Sequence, residues 1–255
     1  MKLIVNADDF ALSKGVNLGI VEAYKKGVVR STTMMMNMDA VDHGFSLMRD
    51  YPGLGLGIHL VLTAGRPLCS DVPSLMDDKG NFHNQSVMAD YAKEEDVEKE
   101  FRMQLDRFLS YGVVPTHIDS HHHVHLHERV LPIVLKLASE FHLPVRLGNK
   151  MKLKKAGWEG IKTTDFFTAA FYGSHLTVEG LTVLLEEASR YPTVELMCHP
   201  SYVDDTLKAR SSYTDQREKE LKILTDERLM RWIEEKGIEL IHYAIYRNTT
   251  KYITI

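Results

Sequence analysis

Leu3-Ile-Val-Asn-Ala-Asp-Asp9 passes from three apolar residues almost directly into two carboxylates. The apolar run reads as a buried strand, and the acids stand at its carboxyl end. Adjacent carboxylates repel each other unless a proton or cation lies between them, so this end of the strand is a candidate reactive position. The fold follows from how often the arrangement recurs. Short apolar runs at residues 31–38, 54–62, 144–147, 194–198 and 238–246 alternate with helical patterns near 13–24, 40–49, 131–141, 181–188 and 225–236. Seven or eight alternations with no Gly-x-Gly-x-x-Gly fingerprint predict an α/β fold, a (β/α) barrel in a single domain over residues 1–255. In such a barrel the reactive side chains gather where the strands end.

Punctuation between the elements agrees with this layout. Ser13 can cap the first helix, with Val16, Ile20 and Tyr24 on one face and Gly27 as its stop. Residues 63–93 are rich in Gly, Pro, Asp and Asn without a clear period, and read as a long excursion over the site. Val97, Phe101, Leu105 and Phe108 share a helical face before Gly112. Residues 150–174 read as irregular, and 216–224 as a very charged helix.

The bulk composition excludes several classes of function. With 44% hydrophobic and 26% charged residues over 255 positions and a net charge of −4, the chain reads as a soluble globular protein, not a nucleic-acid binder. The one basic cluster, Lys150-Met-Lys-Leu-Lys-Lys155, reads as a solvated loop. Cys69 and Cys198 lie far apart with no CxxC spacing, which argues against a disulfide framework or a zinc knuckle and fits a reducing compartment. No apolar stretch approaches membrane-spanning length, and the first apolar run is too short for a signal peptide. A cytoplasmic enzyme is expected.

Six of the thirteen histidines fall within Thr116-His-Ile-Asp-Ser-His-His-His-Val-His-Leu-His127. Imidazole is the commonest metal ligand and the side chain that titrates nearest neutrality, so this density points to metal binding, proton transfer or both. His59 and His199 stand at the ends of two other strands, and His117, Asp119 and His121 share a face at strand period. One carboxylate and two imidazoles make an open metal site. A second carboxylate can then take a proton from water, and a histidine opposite can protonate a leaving group. These are the parts of a metal-assisted hydrolase. Both His121 and His125 are candidate ligands in the histidine run. His122, His123 and His127 line the cleft or face solvent. A Cys198–His199 nucleophile is disfavoured because adjacent residues on a strand point apart.

The segments Asn6-Ala-Asp-Asp-Phe10, Ser31-Thr-Thr33, Gly57-Ile-His59, Pro115-Thr-His-Ile-Asp-Ser-His-His-His-Val-His125 and Glu195-Leu-Met-Cys-His-Pro200 resemble the motifs of the YdjC-like carbohydrate deacetylases. The resemblance covers nearly the whole chain, with Tyr213…Arg217-Glu-Lys-Glu-Leu221 similar to the family's C-terminal pattern. It implies a distorted (β/α) barrel similar to that of the polysaccharide deacetylases, and a homodimer. It also implies a divalent ion, Mg2+ with Zn2+ as the alternative. The implied reaction removes N-acetyl groups from small sugars such as chito-oligosaccharides, phosphorylated ones included. Carried over by motif, Asp9, His59 and His121 would be ligands, with His125 in reserve. Asp8 would be the general base, His199 the general acid, and Arg146 would orient Asp8. Ala11 stands where the family usually has glycine, and Ser201 where glycine or alanine is common. The rival readings are a glycosidase or phosphoesterase of phosphorylated disaccharides on the same ion, and a non-enzymatic metal-binding protein.

Overall fold

A computed structural model describes residues 1–148, 153–154 and 157–247. Its spine is β1 (Lys2–Phe10), in which every residue from Leu3 onward is buried. β1 is covered on both sides, as a near-continuous apolar run demands of a parallel strand. It pairs in parallel with β6 (Thr193–Cys198) over Lys2 to Ala7. From Asn6 upward it pairs with β2 (Ser31–Met34), and β7 (Glu239–Ile241) pairs with its lower end. Among the described residues the sheet has seven strands, in the order β4-β3-β2-β1-β6-β5 with β7 joined to β1; β3 is Gly55–Leu60, β4 Ile118–Ser120 and β5 Phe166–Thr168.

Beyond β4 the backbone continues the curve. Val145 bridges Ile118 in parallel, and its own N–H donates to the Lys162 carbonyl, which leads toward β5. This is the distorted barrel expected for the chain, and the structure shows it to be incomplete. The predicted strand at 144–147 is reduced to that single bridge. The predicted closing strand ends early: β7 stops at Ile241 and a 3-10 turn, Tyr243–Tyr246, follows.

The helices are α1 (Lys14–Lys26), α2 (Val41–Asp50), α3 (Gln85–Tyr91), α4 (Glu94–Leu109), α5 (Leu131–Glu140), α6 (Val178–Ala188), α7 (Asp205–Arg210), α8 (Asp215–Leu224) and α9 (Glu227–Glu235). Ser13 caps α1 by accepting from the Val16 amide, and Gly27 ends it. One hydrophobic core joins sheet and helices, from Leu3 and Val5 through Phe101 and Phe108 to Leu224 and Leu229. Most of the lysine cluster at 150–155 lies outside the described residues. Among the described residues, no helix is long and apolar enough to cross a membrane.

Two local conformations shape the strand ends. The register of β1 shifts between Ala7 and Phe10, where Asp9 takes φ 67° and Ala11 φ 77°. This irregularity breaks the alternation of side chains, so both Asp8 and Asp9 line the same cleft. The histidine run, by contrast, does not continue as a strand. After Ser120 it turns into a 3-10 segment, His121–Leu126, with His122 and His123 both at φ 54°.

Candidate active site

A cleft of about 920 Å³ opens at the carboxyl ends of the strands, lined by Asp8, Asp9, His59, His121, His199 and Arg217 among others. At its floor, Asp9 Oδ1 lies 2.9 Å from His121 Nδ1 and 3.3 Å from His59 Nε2. The three ligand atoms lie within 4.8 Å of one another. Ligands held about 2.1 Å from one ion at right angles sit about 3 Å apart, so this set fits a divalent cation. The environment of His59 strengthens the fit. Its Nδ1–H donates to Asp119 Oδ1 at 2.7 Å, which leaves Nε2 aimed at Asp9, the carboxylate–histidine arrangement common behind metal ligands. Thr33 Oγ1 donates to the other Asp119 oxygen at 3.0 Å and fixes that carboxylate. Burial would lower His59, but Asp119 chiefly, with Asp9 and Asp8, raises it to about 10, a measure of the negative field around it.

Asp9 is gripped from its other side. Arg217, on α8, donates from Nη2 to Asp9 Oδ2 at 2.6 Å and from Nε to the Tyr213 carbonyl at 2.9 Å. Oδ2 is thereby occupied, and Oδ1 is left to face the two imidazoles. Burial would raise Asp9, but Arg217 and His121 hold it well below the usual carboxylate range.

Asp8 belongs to a second cluster. Arg146 forks onto it with Nη1 2.6 Å from Oδ2 and Nη2 2.7 Å from Oδ1. The same guanidinium reaches Asp119 at 2.9 Å and Glu195 at 2.7 Å. Asp8, Asp119, Glu195 and Arg146 are all buried. Burial would raise Asp8, but Arg146 carries it well below its ordinary value. Glu195 is pushed up to about 7, mainly by burial, and accepts a short hydrogen bond from the Tyr243 hydroxyl.

His199 directly follows β6 and lines the cleft, backed by Glu220 and edge-on to Tyr172 and Tyr213. Burial first, and Arg217 second, push it down to about 3, so the resting imidazole is neutral.

The remaining histidines separate clearly. His125 is not part of the ion cluster: Nδ1 meets Ser120 Oγ at 2.5 Å and Nε2 the Arg146 carbonyl at 2.9 Å, leaving neither nitrogen for an ion. The strand parity that put it beside His121 fails because the chain coils after Ser120. His117, expected on the reactive face, stacks on Tyr243 at 3.9 Å instead. Gly57 makes room for it, since a Cβ there would lie 2.4 Å from the His117 ring. His122 and His123 line the cleft, and His122 meets Thr63 at 2.9 Å.

Sequence reasoning assigned no role to Arg217, Glu220, Thr33 or Tyr243. Arg217 and Glu220 are three apart on α8 and both buried, whereas their surroundings in sequence read as a solvated charged helix. The family's C-terminal pattern contains both residues, and a polar pair at helical spacing, opposite exposed Lys219 and Lys222, was a further signal.

The family model for YdjC-like protein matches residues 2–235. The chain belongs to that family. Among YdjC-like relatives, a carbohydrate deacetylase from Brevibacillus brevis is 49% identical over 248 residues, covering 96% of this chain and 99% of its own. A solved structure from Enterococcus faecalis, described as a candidate cellobiose-phosphate cleavage protein, is 34% identical with a TM-score of 0.92, covering 97% of this chain and 99% of that one. A family 4 carbohydrate esterase from Streptomyces lividans shares only the fold, at 9% identity and a TM-score of 0.51, covering 94% of this chain and 92% of its own.

Proposed function

We propose that this YdjC-like protein is a metal-dependent carbohydrate deacetylase that removes the N-acetyl group from small acetylated sugars such as chito-oligosaccharides, phosphorylated ones included. The observation that carries the reading is the convergence of His59 and His121 on one oxygen of Asp9, beside a separate buried carboxylate and opposite a histidine. The B. brevis relative's name, carbohydrate deacetylase, supports the substrate class.

Asp9, His59 and His121 would hold a divalent ion, with Mg2+ preferred over Zn2+ on family resemblance. Such an ion, when bound, supplies Lewis acidity toward the acetyl oxygen and lowers the pKa of water. Arg146 keeps Asp8 ionised and fixed in direction, so Asp8 is a proton acceptor throughout the working range. Its low basicity confines it to a water already made acidic. The water oxygen bonds to the acetyl carbon and its proton passes to Asp8. The C–N bond then breaks, its electron pair stays on nitrogen, and His199 delivers the proton that releases the amine. Because His199 rests neutral, it must gain that proton within the catalytic cycle. The proton that Asp8 has taken from the water is the one passed on to it, which restores the Asp8 carboxylate.

A glycosidase would need two carboxylates free to flank the bond between sugars. Asp8 and Asp119 are both tied to Arg146, which disfavours that use. A storage protein would carry exposed ligands, whereas Asp9 and His59 are buried.

The reading extends to the full 1–255 chain acting as one catalytic domain, as a homodimer in the cytoplasm, where the two free cysteines, Cys69 and Cys198, would stay reduced. Mass spectrometry of N,N′-diacetylchitobiose and its 6-phosphate, incubated with Mg2+- or Zn2+-loaded protein, tests the activity. Loss of one acetyl group, abolished in Asp8→Asn, is expected. Cleavage between the sugars, or no change in either substrate, would refute it.

A further inference from the structure

α8 carries two buried charged side chains to opposite poles of the cleft. Arg217 reaches Asp9, while Glu220, one turn later on the same face, reaches behind His199. Glu220 is fully buried and held at both oxygens. Oε2 accepts the His199 backbone N–H in a short hydrogen bond, and Oε1 accepts the Tyr213 hydroxyl at 2.6 Å. The Tyr213 hydroxyl in turn accepts the Gly173 amide at 2.9 Å, which locks the assembly to the loop before α6.

His199 Nδ1 is buried with no hydrogen-bond partner, and the carboxylate oxygen in ion-pair range is Glu220 Oε1, at 3.9 Å. An orphaned buried ring nitrogen is costly, and a carboxyl group fixed behind it gives it a partner once the ring is cationic. With Nδ1 turned into the protein, Nε2 is the nitrogen left to the cleft that His199 lines.

We propose that Glu220 is the positioning partner of His199. It holds the Nδ1 edge, leaves Nε2 facing the scissile nitrogen, and balances the ring's charge while His199 carries the proton for the departing amine. The inference rests on the deacetylase reading. In the step it serves, the C–N electron pair goes to nitrogen, the Nε2–H bond breaks as the new N–H bond forms, and the ring returns to neutral beside Glu220. Burial pushes Glu220 up to about 7, so the Glu220–His199 pair can hold a proton near neutral pH.

The test compares two substrates that differ in their need for an acid. An N-acetyl sugar must have its amine protonated, whereas p-nitrophenyl acetate releases a phenolate that needs no proton. Glu220→Gln should lower kcat on the amide about 100-fold, the scale of lost general acid help, while kcat on the ester stays within about threefold. Tyr213→Phe, which frees Oε1, should shift the same ratio in the same direction by a smaller factor. Metal content by elemental analysis should be unchanged in both variants. Equal losses on amide and ester, or full amide turnover in Glu220→Gln, would overturn the proposal while leaving the deacetylase reading intact. Wild-type protein that releases acetate from neither substrate would remove both.

Discussion

Arg146 grips Asp8 through both terminal nitrogens, at 2.6 and 2.7 Å, across 138 residues of sequence. One guanidinium thus serves three buried carboxylates, Asp8, Asp119 and Glu195. Removing it leaves those charges without their counterion in a low-dielectric site. Arg146→Met should therefore cost about 3–5 kcal/mol of stability in urea unfolding, and Arg146→Lys should rescue little, because an ammonium cannot fork onto Asp8. A variant as stable as wild type would show that the carboxylates are neutralised by other means.

Ion binding should depend on His121 and not on His125. Isothermal titration with Mg2+ or Zn2+ should find no measurable site in Asp9→Asn or His121→Ala. His125→Gln should keep one ion per chain and lose thermal stability instead, because it gives up bonds to Ser120 and the Arg146 carbonyl. In wild type, chelation should lower Tm, since at 100 Kd of free metal the bound ion contributes about 2.7 kcal/mol. Loss of the ion in His125→Gln with retention in His121→Ala would reverse the assignment.

Tyr172 is half-exposed at the cleft, stacked on Tyr213 with ring centroids 4.1 Å apart and edge-on to His199. A flat aromatic face beside His199 suits the apolar face of a sugar ring. Tyr172→Ala should raise KM by about 3–10-fold, as expected for losing one ring contact, with kcat changed less than twofold. Tyr172→Phe should behave as wild type. A fall in kcat at constant KM would rule out the stacking role.

Acid should destabilise the metal-free protein between pH 7 and pH 5. Burial depresses His117, His122, His125 and His199, the last two to about 3 and His122 to about 4. Below 6.5 the unfolded chain binds protons that these folded histidines refuse, so stability falls as pH drops through that window. Glu195 and Glu220, raised to about 7, act oppositely, because folding favours their protonated forms. With His43, His123 and His242 also depressed and Glu100 also raised, seven groups outweigh three. Asp8 and Asp9, already depressed, contribute fully across this range, as does the raised His59 below 6.5. Each net proton changes stability by about 1.4 kcal/mol per pH unit, so urea midpoints at pH 7, 6 and 5 in a chelating buffer should decline in order. A flat or rising series would contradict the burial of these imidazoles.

Ala11 stands at φ 77°, a conformation that costs a side chain about 1 kcal/mol. Ala11→Gly should relieve part of that strain and raise Tm by a degree or two, with the Ala11 amide still donating to Asn17. A lower Tm would mean that the strain is offset by packing of the buried methyl.

Much of this site was legible in the residues. Asp8, Asp9, His59 and His199 each close a strand, and a parallel barrel must gather such ends. Their types alone indicated an ion and proton transfers. The histidine run misled because period-two spacing assumes extended backbone, whereas two left-handed residues, His122 and His123, turn His125 away from the cleft. Arg217 and Glu220 stand in the family's C-terminal pattern, but their roles were hidden for a different reason. A charged helix ordinarily faces water, and only docking against the sheet shows that one of its faces is charged inward. The resemblance to the family ordered the motifs, and the geometry distinguished neighbouring histidines.

Three carboxylates of this site, Asp8, Asp9 and Asp119, are translated early, while Arg146, His199 and Arg217 emerge late. A nascent chain released only through α5 would hold Asp8, Asp9 and Asp119 without Arg146 and Arg217, the guanidinium groups that offset them. The amino-terminal half is therefore poorly suited to settle alone, and the ribosome must deliver α8 before the interior reaches electrical balance.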